Sequence, residues 1–93
     1  MKRLNWNDDK NALLKNLRDI TFEEIAFLIN KNQVIEITDH PNQEKYPGQR
    51  IFVLNIRNYI YLVPFIETET EVFLKTIIPS RTATKRYLKM EGE

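Results

Sequence analysis

Residues 50–67, "RIFVLNIRNYIYLVPFIE", decide the fold. Arg50–Ile56 and Tyr59–Glu67 are rich in Ile, Val, Leu, Phe and Tyr and are apolar on both faces. That is the pattern of strands inside a covered sheet. Only Arg57 and Asn58 separate them, and Asn58 tolerates the φ > 0 that a tight two-residue connection needs. The stretch therefore predicts an antiparallel hairpin. Pro64 breaks the pattern, because it has no N–H to give to a ladder. It predicts a bulge or an unpaired side at that point.

Working outward, "ETET" at 67–70 reads as the next turn and "VFLKTII" at 72–78 as the next strand. Connections this tight rule out a parallel arrangement of the last three strands. Pro79 stops the strand, Ser80 is placed to cap, and Arg81–Met90 predicts a short helix. On the other side, "VIEIT" at 34–38 alternates, with Ile35 and Ile37 on one face and Glu36 and Thr38 on the other.

Before it the period is helical. Asn7, followed by Asp8 and Asp9, suits a helix start, and Leu13, Leu14 and Leu17 recur at helical spacing. A second helix is announced by a capping box of Thr21 and Glu24 and by a staple of Ile20 and Ile25. Phe22, Ile25, Ala26 and Ile29 form its apolar stripe. Lys2–Trp6 reads as a further edge strand. The expected architecture is α+β: a small antiparallel sheet of four to five strands, two N-terminal helices and one C-terminal helix, in one domain over 1–93.

Composition removes several classes of chemistry. The absence of Cys excludes a disulfide framework, a thiolate nucleophile and a Cys-based zinc site. A lone histidine, His40, has no second His with which to build a metal site, so no metal and no cofactor are expected. Two glycines, Gly48 and Gly92, cannot supply a phosphate-cradling loop. The single serine, Ser80, precedes a helix start, where capping is its simplest role. No apolar run approaches the roughly 20 residues that span a bilayer, and the N-terminus lacks the apolar region of a secretory signal. A soluble cytoplasmic protein without membrane contact is the expectation.

Charge is unevenly spread. The chain carries 14 Lys and Arg against 13 Asp and Glu, yet residues 72–90 hold five cations and no acid. On the predicted helix Arg81, Lys85 and Lys89 share a stripe with Arg86 alongside, while Ala83, Tyr87 and Met90 face the sheet. Lys75 on the preceding strand has the parity of Phe73 and Ile77. A solvated amphipathic helix is the plain reading. A second cluster of cations and rings, "HPNQEKYPGQR" at 40–50, adds His40, Lys45, Tyr46 and Arg50. Cations neutralise phosphates and rings stack on splayed bases, as single-stranded RNA is held.

"LNWNDDKNALLKNLRDITFEE" at 4–24 resembles the N-terminal signature of BrnT-type toxins, through Trp6, Lys10-Asn11, Leu17 and Ile20-Thr21-Phe22-Glu23-Glu24. Asp39-His40, Arg50 before a strand, and "IIPSRTATKRY" at 77–87 resemble the family's acidic-His turn, its arginine and its closing segment. The chain departs from the family at Asn7, where Asp is usual, and at Tyr87-Leu88, where Glu-Arg is usual. The resemblance implies a type II toxin with a RelE-like ribonuclease fold that cuts RNA without metal, inhibits translation and is neutralised by an antitoxin in a hetero-oligomer. On that footing Arg50 and Arg81 would stabilise the phosphorane, with Lys75 as helper. Acid and base would come from among His40, Lys45, Tyr46 and Tyr87. Lys45, Tyr46, Lys85, Arg86, Tyr87 and Lys89 would hold RNA. The alternatives are a non-catalytic nucleic-acid-binding module and a protein-interaction domain with a basic helix.

Overall fold

The computed structural model describes residues 2–88. Lys89 and Met90, expected at the end of the last helix, lie outside them. The chain runs as β1 (Arg3–Asn5), α1 (Asp8–Arg18), α2 (Phe22–Asn30), β2 (Glu36–Asp39), β3 (Arg50–Ile56), β4 (Tyr59–Glu67), β5 (Glu71–Leu74), β6 (Ile78–Pro79) and α3 (Arg81–Leu88). The result is a small α+β protein with three helices on a six-stranded sheet of order β1-β5-β4-β3-β2, with β6 pairing β4.

The sheet is mixed rather than antiparallel. β1 runs parallel to β5, with Leu4 beside Val72. The long path through α1, α2 and three strands returns the chain to β1 from the far side, so no tight turn dictates the opposite direction. The 50–67 hairpin forms as expected, with Arg50 opposite Phe65 and Ile56 opposite Tyr59. Its turn puts both Arg57 (φ 53°) and Asn58 (φ 66°) in the left-handed region. The strained Arg57 is held from outside: its guanidinium donates to the Asp19 carbonyl at 3.0 Å and to Glu24 at 3.0 Å.

Pro64 has the predicted consequence. β4 pairs with β5 from Phe65 opposite Leu74 onward, and with β6 from Leu62 opposite Ile78. Two residues intervene on β4 and three on the facing strand, so one residue bulges. The Pro64 carbonyl accepts the Lys75 N–H at 2.8 Å, so its nitrogen faces the same side without a proton to offer. The bulge splits the single expected strand at 72–78 into β5 and β6, and it shifts the side-chain parity. Lys75 keeps the face of Phe73, its ammonium 5.6 Å from that ring, whereas Ile77 is fully buried on the opposite face.

Two cores result. On one face α1 and α2 bring Leu14, Ile20, Phe22 and Ile25 against Phe52, Leu54, Val63 and Phe65. Trp6 stacks on Phe22 at 5.8 Å, and Phe52 on Phe65 at 4.0 Å. Of the expected α1 stripe only Leu14 is buried; Leu13 and Leu17 are 50% and 68% exposed. On the other face α3 packs Ala83, Tyr87 and Leu88 onto Ile51, Val53 and Ile60.

The caps are those the sequence announces. Asn7 accepts from the Lys10 N–H at 2.9 Å, Thr21 from Glu24 at 3.2 Å and Ser80 from Ala83 at 3.1 Å. Only half of the capping box closes, because the Glu24 carboxylate is engaged by Arg57 instead.

Candidate nucleic-acid interface

Strand parity decides which side chains share the α3 face. Ile51 and Val53 of β3 stand there, as do their partners Thr38 and Glu36 on β2 and Pro64 and Leu62 on β4. α3 lies along this face. Thr84 fixes its start by accepting the Ile60 N–H at 2.9 Å while donating to the Ser80 carbonyl at 2.7 Å. Between α3 and the strands lies a groove of about 370 Å³, floored by Ile51, Val53 and Leu62 and walled by Thr82, Arg86 and Tyr87.

A second cavity, of about 290 Å³, adjoins it and is lined by His40, Tyr46, Lys75, Thr76 and Lys10 of α1, with Pro64 and Ile78 among its apolar walls. The two are contiguous on the sheet. Ile51 and Leu62 belong to the first, and their register partners Pro64 and Ile78 to the second. No acidic side chain lines the second cavity.

The 40–49 loop is built to present a ring pair. The Gln43 amide ties it together, donating to the His40 carbonyl at 2.8 Å and the Gln49 carbonyl at 3.1 Å and accepting the Gly48 N–H at 3.1 Å. Gly48 sits at φ 75°, a conformation that costs glycine little. His40 and Tyr46 rings meet at 4.4 Å, and the Lys45 ammonium lies 5.5 Å from the Tyr46 ring. The Asn42 N–H donates to His40 Nδ1 at 3.0 Å. In the neutral ring the proton therefore sits on Nε2, which is left as a hydrogen-bond donor.

The sequence-derived site residues divide accordingly. His40, Tyr46 and Lys75 come together in one cavity, and Arg86 and Tyr87 line the groove beside it. Arg50 does not join them. It pairs in register with Phe65 on the α1/α2 face, and its guanidinium is 3.7 Å from Asp39 and 3.8 Å from Glu67. A strand's alternation sends adjacent residues to opposite faces, and Arg50 falls one position from Ile51. Arg81 and Lys85 are exposed and line neither cavity. Lys89 lies outside the described residues.

Tyr87 is tied by its hydroxyl to Glu36 on the edge strand. That hydrogen bond, with burial and the carboxylate's charge behind it, pushes the phenol's pKa up, so Tyr87 stays protonated and is a poor base. Glu67 is held below the usual carboxylate range, first by the hydrogen bond from Lys2 at 2.7 Å and further by the Lys2 and Arg50 charges. Lys10 and Gln43 escaped sequence reading. Lys10 belongs to a helix distant in the chain, and Gln43 acts only on loop backbone. Among the described residues no cluster of three or more His, Asp or Glu is placed to hold a metal ion. No helix among them is long and apolar enough to cross a membrane.

No protein-family model matches this chain, and no curated protein or solved structure matches it significantly.

Proposed function

We propose that the protein is a BrnT-type, RelE-like toxin of a type II toxin-antitoxin module, a metal-independent endoribonuclease that acts in the cytoplasm, inhibits translation and is held by a cognate antitoxin. One observation carries this reading: His40, Tyr46 and Lys75 share a carboxylate-free cavity that opens beside the Arg86–Tyr87 groove on one sheet face. The order of two helices, a meander and a closing helix fits the RelE-like expectation.

RNA cleavage by the 2′-hydroxyl needs a base, a stabilised phosphorane and a protonated leaving 5′-oxygen. Lys75 supplies charge to the phosphorane, and Arg86 supplies a planar fork from the adjoining groove. His40 Nε2–H donates to a phosphoryl oxygen, since that nitrogen already carries the proton. Tyr46 stacks on a base. Arg81 and Lys85 serve as outer phosphate contacts on α3, and Lys45 acts through the Tyr46 ring. Arg50 is spent in its ion pairs on the other face and takes no part.

The test is expression in a bacterial host, paired with cleavage of RNA by purified protein in chelator. Wild type should arrest growth and cut RNA, and Lys75→Ala should lower the cleavage rate by about 100-fold or more. A folded wild-type protein that neither arrests growth nor cuts RNA would sink the reading.

One observation favours a non-catalytic nucleic-acid-binding module instead: no arginine lines the His40–Lys75 cavity itself. Arg86→Lys separates the two. Charge-only binding tolerates lysine, whereas bidentate stabilisation does not.

A further inference from the structure

We infer that the cavity of Lys10, His40, Tyr46 and Lys75 binds a terminal phosphomonoester of a nucleotide, with the base stacked on Tyr46. The inference deepens the nuclease reading and rests on the same cavity, but it assigns that cavity to a dianionic RNA end rather than to a chain-interior phosphate.

Charge balance is the argument. Two ammonium groups, from α1 and from the bulge after β5, converge on a space with no acidic lining residue. A single phosphodiester carries one negative charge and would leave one lysine uncompensated. A phosphomonoester carries about −1.5 to −2 near neutral pH and matches both. His40 adds a donor without adding charge, because the Asn42 N–H on Nδ1 fixes the neutral ring with its proton on Nε2. The Thr76 side chain offers one further hydroxyl to the lining.

Size agrees. At about 290 Å³ the cavity lies at the bottom of the range of roughly 300–1,000 Å³ that small-molecule sites occupy. It suits one nucleotide, not an oligomer. The Tyr46 ring is held against His40 at 4.4 Å, so the stacking platform is set before a ligand arrives. The bulge opposite Pro64 is what puts Lys75 on this face, and α1 brings Lys10 from the other side of the chain.

His40 is the only histidine, so its ring proton resonances report on the cavity without assignment. The full chain is titrated at about pH 7.5, where the monoester is a dianion, with adenosine 3′-monophosphate, the dinucleoside monophosphate ApA, and adenosine. The monophosphate should move the His40 resonances saturably and bind about tenfold or more tightly than ApA, with adenosine weaker still. Lys10→Ala and Lys75→Ala should each weaken the monophosphate about tenfold or more, and Lys85→Ala should not. Lys10 joins the α1 cap only through its backbone N–H, so Lys10→Ala leaves that cap intact. Equal affinity for ApA, unmoved His40 resonances, or insensitivity to both lysine changes would each overturn the inference. RNA cleavage is read separately. Monophosphate binding without cleavage keeps this inference and removes the nuclease, and cleavage without monophosphate binding does the reverse.

Discussion

Asn11 grips the start of α2 through both ends of its amide, donating from Nδ2 to Glu23 at 2.8 Å and accepting the Phe22 N–H on Oδ1 at 2.7 Å. The residues that carry the toxin resemblance thus form a clasp between two helices rather than a reacting group. Thr21 caps, Phe22 fills the core, Glu23 answers Asn11 and Glu24 answers Arg57.

Asn11→Ala should therefore destabilise the fold by about 1–3 kcal/mol, because it strands a half-buried backbone donor. The Glu23 carboxyl is held below its ordinary 4.5, first by the Asn11 bond. A depressed acid gives stability that is present above its unfolded value and lost as pH falls through the lower folded value. The gap between wild type and variant in urea midpoint should accordingly narrow from pH 7 to pH 3.

Phe22 is fully buried and stacks on Trp6, the only tryptophan. Phe22→Ala should cost about 3–5 kcal/mol. Phe22→Leu, which keeps most of the volume, should remain folded but change the Trp6 emission in the native state. Unchanged emission would mean that the two rings do not meet in solution.

Tyr87 latches α3 to the edge strand through Glu36. Its pKa is raised above the ordinary 10.0, chiefly by that hydrogen bond. A raised acid gives stability that is full below its unfolded value and lost as pH climbs through the folded one. Tyr87→Phe should flatten the loss of stability above pH 10 and speed amide exchange in α3 at neutral pH.

Arg57 sits at φ 53° yet carries two polar contacts. Arg57→Ala forfeits the contacts and keeps the strain, whereas Arg57→Gly forfeits the contacts and relieves it. Gly should be the more stable of the two by about 1 kcal/mol in chemical denaturation.

Arg86 and Arg50 lie on opposite faces of the sheet. Arg86→Ala should weaken binding to single-stranded RNA and lower the salt dependence by about one phosphate's worth. Arg50→Ala should leave both unchanged and cost less than about 1 kcal/mol of stability, as exposed ion pairs do. Equal effects from the two arginines would contradict the placement of the interface.

Local chemistry was the legible part of this chain. Caps, the Arg57–Asn58 turn and the Pro64 disruption each follow from residues a few positions apart, and each appears in the structure. What depends on distant partners was hidden. Leu13 and Leu17 have helical spacing, but a narrow contact with the sheet buries only Leu14. The direction of β1 depends on where five intervening elements leave β5. Strand parity was drawn through Lys75 to Ile77 as if nothing lay between them, and the site suffered most for it. Arg50 was grouped with its loop neighbours although its strand position turns it to the other face. Lys10 reached the cavity from a helix that sequence proximity gave no reason to include.

The single extra residue facing Pro64 acts as a switch of sidedness. Upstream of it odd-numbered positions point toward α3, and downstream the assignment is reversed, so a lysine and an isoleucine two apart reach water and core respectively. Segment 74–78 is therefore intolerant of length changes in a way its surface location would not suggest. Deleting Thr76 would straighten the ladder and exchange the wet and dry sides of everything that follows, α3 included. Point substitutions there are a matter of side chains, whereas a one-residue indel would dismantle the cavity and the second core together.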